Sequence, residues 1–246
     1  MAPGSRFATT SWGMVVAARE ASTFESREAL ETLCRTYWYP VYAFVRRQGF
    51  DAEDARDLTQ AYFASLLEKA YLDDYEPSRG RFRVFLRTSV RHFLSKERDK
   101  RMAVRRGGET QILSLDTSDV EGRYSLEPAD RSTPEEMFER RWTLTILERV
   151  LDQLRREQAE AGLRVQFERL QGFLTGEETE TSYRDMAAEL RTSEGAIKMA
   201  VHRLRQRFGQ LLRGEIAETV SSPDQVDDEV KHLLGVIAPW RHPPSD

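Results

Sequence analysis

From Leu30 to Leu211 apolar residues recur at intervals of three and four, while strand-like alternation is poor. That periodicity restricts the chain to packed helices. Leu30, Leu33, Tyr37, Val41 and Phe44 mark a first helix, which Pro40 is expected to kink or divide. A second runs from about 51 to 70 and a third from about 80 to 101. Thr133-Pro-Glu-Glu136 reads as a helix start, with Thr as N-cap, Pro in the first turn and Glu closing a capping box. A long helix to about Ala161 should follow, then a shorter one through Phe167 and Leu170. Ser182 can cap a helix through Leu190, and Thr192 or Ser193 a second one. In that second helix Ile197, Val201, Leu204, Phe208 and Leu211 form a buried stripe, with Met186, Ala187 and Leu190 facing it. Between these helical groups, 107–132 is polar, contains Pro128, and reads as a linker. The expected fold is all-α: two small helical domains joined by an acidic linker, the C-terminal one a helix-turn-helix.

Composition removes several function classes. A single cysteine, Cys34, excludes an intrachain disulfide framework and a thiolate zinc cluster, and the four histidines are too scattered to suggest a metal site. No cofactor motif or catalytic constellation is legible. No run reaches the roughly 20 apolar residues that cross a bilayer, so membrane insertion is not expected. The apolar stretch from Trp12 to Ala18 is followed at once by Arg19 and Glu20, unlike a secretory leader. The expected compartment is the cytoplasm.

The net charge of −4 over 246 residues argues against a nucleic-acid partner only if it is evenly spread. It is not. From Arg79 to Gly107 there are eleven Lys or Arg and two acids; from Leu115 to Glu139, eight acids and two arginines. Residues 182–213 carry seven bases and three acids, and the tail beyond Gly214 is acidic again. Two cationic surfaces therefore alternate with two anionic segments.

Each cationic segment has a two-faced helix. On the helix after Arg79, Phe82, Phe85, Leu86, Ser89, Val90 and Phe93 fall on one side and are read as core. Arg79, Arg83, Arg87, Arg91 and Arg98 are the candidate contacts to nucleic-acid phosphates, where counterion release supplies salt-sensitive affinity. In the C-terminal pair Gly195, Lys198, Met199, His202 and Gln206 point away from the buried stripe, flanked by Arg203 and Arg205. A capped helix with long polar side chains outward suits the major groove. Ser193 and Glu194 place backbone N–H groups where a phosphate could sit. In the helix before Arg79, Leu58, Ala61, Tyr62 and Leu66 form one stripe, and Phe63 and Leu67 lie almost opposite. Such a helix is sandwiched in a core or docks on a partner.

Asp51-Ala-Glu-Asp54, Asp57-Leu-Thr-Gln60-Ala-Tyr-Phe63 and Gly80-Arg-Phe82-Arg-Val-Phe85-Leu86 resemble the first domain of bacterial RNA polymerase sigma factors of the extracytoplasmic-function class. Ser182-Tyr-Arg-Asp-Met-Ala-Ala-Glu-Leu, Ser193-Glu-Gly-Ala-Ile-Lys and His202-Arg-Leu-Arg resemble the promoter-reading helix-turn-helix of that class. The resemblance implies a non-enzymatic initiation factor without cofactor or metal, whose partners are core RNA polymerase and promoter DNA. It divides the chain into an extension over 1–24, a first domain over 25–107, an acidic linker over 108–132, a helix-turn-helix domain over 133–214 and an acidic extension over 215–246. The first domain would bind the polymerase clamp through Asp54, Asp57, Gln60 and Phe63. Its basic helix would recognise and help melt the minus-ten element through Arg79, Arg83, Arg87, Arg91 and Arg98. The helix-turn-helix would read the minus-thirty-five element through Ser193, Glu194, Lys198, Met199, His202, Arg203 and Arg205, and the linker would run through the polymerase channel. An anti-sigma factor or other regulator is a further partner the resemblance admits. Three positions depart from the pattern: Ala61 where Glu is frequent, Phe85 for Trp, and Arg191 at a turn position where Gly is usual.

Two readings from other classes remain. A stand-alone helix-turn-helix regulator would act without polymerase, and a nucleic-acid enzyme would need a constellation that the acids from Asp51 to Asp57 do not supply. The tail repeats a helical pattern through Val226, Val230, Leu233, Leu234 and Ile237. It either folds back on a basic surface, meets a regulator, or is an added packing helix.

Overall fold

The computed structural model describes residues 24–67, 81–103, 120–125, 132–175 and 182–241. It is all-α: among the described residues no strand occurs. In chain order the helices are α1 (Phe24–Arg47), α2 (Ala52–Leu67), α3 (Phe82–Ala103), α4 (Val120–Ser125), α5 (Pro134–Glu160), α6 (Arg164–Leu170), α7 (Gly172–Thr175), α8 (Tyr183–Glu189), α9 (Glu194–Ala217) and α10 (Val226–Arg241). Two compact units result, Met1–Thr145 together with Ile216–Asp246, and Ile146–Glu215. No described helix is long and apolar enough to cross a membrane.

The first unit is built around aromatic residues. Tyr37 of α1 stacks on Trp142 of α5 at 4.1 Å between ring centroids, and Phe82 of α3 meets both edge-on. Phe138 packs on Phe44 and Trp142. Such ring pairs add about 0.5–1.5 kcal/mol each beyond the area they bury. Pro40 does not divide α1. Every residue from Tyr37 to Val45 is buried, and packing on both sides of the proline holds the helix together despite the lost backbone donor. On α2, Tyr62 donates or accepts at Ser89 Oγ (2.6 Å) and meets Phe93, tying the helix to α3. Asp51 caps α2 by accepting from the Asp54 N–H at 2.8 Å.

The unit boundaries depart from the expected domain ranges at three places. The first turns of α5 belong to the first unit, because Met137, Phe138 and Trp142 fill its core. The tail beyond Ile216 also belongs there, with Val226, Leu233 and Ile237 buried. Part of the expected linker is structured: α4 lies against α1, where Glu121 accepts from Tyr42 Oη and from Arg46 Nε (3.1 Å) and Nη2 (2.8 Å). Arg46 also covers the Tyr124 ring, and Arg123 the Tyr39 ring. Burial alone would raise the Glu121 pKa, but the Arg46 and Tyr42 hydrogen bonds overcome it and hold the carboxyl below its ordinary value.

In the second unit Ile146, Val150, Leu154, Phe167, Leu170, Met186, Ile197, Val201 and Leu204 are buried. The arginines Arg149 and Arg207 pair with Glu215 and Glu157 around that core.

Candidate nucleic-acid interface

The C-terminal candidate face begins with two caps. Ser182 accepts from the Asp185 N–H while Asp185 accepts from the Ser182 N–H, the reciprocal box that starts α8. The Ser182 hydroxyl, bonded to the Asp185 carboxylate, holds that group below its usual pKa. α8 ends in a Schellman turn: Thr192 N–H donates to Ala187 O at 2.9 Å and Arg191 N–H to Ala188 O at 3.3 Å. Arg191 supplies the left-handed residue this turn requires, at φ +51°. Ser193 then caps α9 by accepting from the Ala196 N–H. The expected pair of capped helices and the strained arginine between them are both present.

From that turn α9 presents an open face. Ile197, Val201, Leu204 and Leu211 of the expected stripe are buried and Phe208 is half-buried, while Ser193, Glu194, Gly195, Lys198, Met199, His202, Arg203 and Gln206 are exposed. Met199 is 57% exposed, although a methionine has no hydration reason to stand outward. A Cβ placed on Gly195 would meet nothing nearer than 4.0 Å, so the fold does not demand glycine there. Its missing side chain instead leaves room above the first turn of α9. Lys198 pairs with Glu194 one turn back at 2.6 Å and sits 6.0 Å from the Tyr183 ring centroid. The Glu194 hydrogen bond raises the Lys198 pKa, and the reverse contact lowers that of Glu194. An exposed pair of this kind contributes little and readily exchanges partners. Arg205 differs from its neighbours: it donates to the Phe173 carbonyl at 2.8 and 3.3 Å and fastens α7 to α9. Its expected outward role is therefore shared with a packing role.

The expected stripe on α3 does not form one open surface. Arg83 is a correction: it is 5% exposed, between Glu139 of α5 and Glu229 of α10, which are 7% and 1% exposed. Its Nη1 donates to Glu139, and its Nε and Nη2 to Glu229. Burial would depress the Arg83 pKa, and the two carboxylates reverse that, raising it. Arg87 is half-buried and donates to Glu139 at 2.7 Å. Arg81, absent from the expected set, pairs with Glu229 at 2.9 Å. Arg91 is exposed; Arg98 is exposed, 5.2 Å from the Phe50 ring centroid and bonded to Gln48. Arg79 lies outside the described residues. The partners of Arg83 come from positions 56 and 146 residues away, which is why the helical wheel of α3 alone placed it outward.

On α2 the expected polymerase contacts also divide. Asp57 is exposed, and Asp54 and Gln60 are half-buried. Phe63 is fully buried, stacked on Trp38 at 5.6 Å and edge-on to Tyr62. Both apolar sides of α2 at Tyr62 and Phe63 are thus sandwiched, and Phe63 presents nothing to a partner in this conformation.

Sequence reasoning missed Arg81, Glu139, Glu229, His232 and Glu121. One clue was available: Glu229 interrupts the apolar face of α10 one turn after Val226 and one before Leu233, where a carboxylate needs a buried cation.

No protein-family model, curated protein or solved structure matches the chain.

Proposed function

We propose that the protein is a sigma factor of the extracytoplasmic-function type, a cytoplasmic, non-enzymatic subunit that directs core RNA polymerase to promoters. The open face of α9 carries this reading. A helix set at a tight turn, with glycine in its first turn and Lys198, Met199, His202 and Arg203 outward, has the dimensions and chemistry of a major-groove reader. A separate basic helix, α3, supports a second nucleic-acid contact through Arg91 and Arg98. The resemblance to sigma factors at both segments supplies the polymerase and the minus-ten and minus-thirty-five assignments. On this reading Asp57, Asp54 and Gln60 face the polymerase clamp, and the acidic stretch containing Glu121 leaves Arg46 to enter the polymerase channel.

One observation favours the stand-alone regulator instead. Arg81, Arg83 and Arg87 are already neutralised within the chain, which leaves α3 with fewer cations for a second element. In vitro transcription from a promoter library with purified core polymerase separates the two. The sigma reading expects transcripts whose start sites share upstream elements and depend on this protein. Duplex binding without any protein-dependent transcript would support the regulator.

A further inference from the structure

The charged network on α3 is assembled by α10, the last described helix, together with Glu139 of α5. Glu229 stands within the apolar seam of α10, beside Val226, Leu233 and Ile237, and is nearly inaccessible to water. Its carboxylate takes Arg81 on one side and Arg83 on the other. Glu139 takes Arg83 and Arg87, and His232 of α10 approaches Glu139 at 3.2 Å. Just before α10, the Thr219 carbonyl accepts from the Phe82 N–H at 2.9 Å and so holds the first turn of α3 as well.

We propose that α10 is an internal stand-in for nucleic acid: Glu229, with Glu139 beside it, occupies on Arg81, Arg83 and Arg87 the places that backbone phosphates take when α3 engages nucleic acid. This rests on the proposed reading of α3 as a nucleic-acid contact. The guanidinium fork accepts a carboxylate or a phosphate in the same planar, paired geometry, so exchange leaves no arginine uncompensated. Arg81 and Arg87 each keep 30% of their side-chain surface open, which gives an incoming phosphate a foothold before Arg83 is uncovered. α10 follows α9 through a short connection and the 3-10 turn Pro223–Gln225, and its departure interrupts no later described element. The occupant of Arg81 and of one side of Arg83 is thus the acidic tail itself, while Glu139 of α5 holds Arg87.

The test is binding of a labelled random-sequence duplex to the full chain from about 50 to 300 mM salt, read by anisotropy. Glu229→Gln and Glu139→Gln should each bind more tightly at low salt. Their log–log salt slopes should steepen by about 0.9 for each phosphate newly contacted. Circular dichroism establishes that each variant is folded. In the unaltered chain, saturating duplex should speed amide exchange across 226–241, a readout that needs no variant. Unchanged slopes in folded variants, or unchanged exchange in α10, overturn the stand-in. Arg91→Ala separates the two levels, because Arg91 lies on α3 outside the network. A flatter slope for Arg91→Ala with no effect of either Glu→Gln change overturns the stand-in alone. No effect of Arg91→Ala together with no effect of either Glu→Gln change overturns both the stand-in and the reading of α3 beneath it.

Discussion

Replacing Arg83 by methionine keeps an unbranched apolar stem but shortens the side chain and removes the guanidinium with its charge and donors. Glu229 and Glu139 are then left as carboxylates at 1% and 7% exposure. Removing one partner from a buried ion pair typically costs about 3–5 kcal/mol, because the remaining charge is uncompensated. Here Arg81 still reaches Glu229 and Arg87 still reaches Glu139, so the loss should fall at the lower end, about 3 kcal/mol. For a unit of this size that corresponds to a melting temperature lower by about 6–12 °C. Thermal and urea unfolding followed by helix signal would measure it. Adding Glu229→Gln to Arg83→Met should cost less than the sum of the single changes, with a coupling of about 1–3 kcal/mol. A loss under about 1 kcal/mol, with no coupling, would refute the claim that Arg83 is a buried, doubly paired cation.

Arg191→Gly should stabilise the second unit by about 0.5–1 kcal/mol, whereas Arg191→Ala keeps the Cβ strain and gains nothing; equal melting temperatures for the two would contradict left-handed strain at φ +51°. Gly195→Ala should be neutral or stabilise by up to about 1 kcal/mol, yet weaken duplex binding by crowding the first turn of α9; unimpaired binding would show that nothing approaches there. Glu121→Gln should remove amide protection across Val120–Ser125 at neutral pH. In the unaltered chain the same protection should persist above pH 4.5 and be lost as pH falls through the depressed pKa of that carboxyl; protection that ignores both changes would mean that α4 is held otherwise. Lys198→Ala or Arg203→Ala should change preference among upstream sequences by about 1–3 kcal/mol per lost base contact, while Arg91→Ala should weaken all sequences alike and flatten the salt slope. Uniform losses for all three would remove the division between base reading and phosphate contact.

What was legible in the sequence was local. The box at Thr133 and the cap at Ser182 close within three residues, and the buried Ile197, Val201, Leu204 and Leu211 repeat within one helix, so neighbouring residues determine them. The sequence showed Arg191 at a turn position where glycine is usual, and the structure adds its left-handed φ of +51°. The errors came from distance. Arg83 was placed outward because its carboxylate partners lie on α5 and α10. Phe63 was offered to a partner because the side of α2 that carries it is covered by Trp38 of α1. α4 escaped notice because six residues containing a glycine carry no helical period, and the docking of Glu121, Arg123 and Tyr124 on α1 stabilises them. The face of α9 was readable except at Arg205, whose partner, the Phe173 carbonyl, lies on another helix.

The most direct measurement of the central claim is binding of a labelled promoter fragment, selected from transcribed library members, with and without core polymerase. The account predicts that this protein joins core polymerase in a stoichiometric complex. It also predicts that the complex binds and opens the fragment, while the free protein binds it weakly because Arg81, Arg83 and Arg87 are held by Glu229 and Glu139. Failure to bind core polymerase, together with tight and sequence-specific binding by the protein alone, would contradict it.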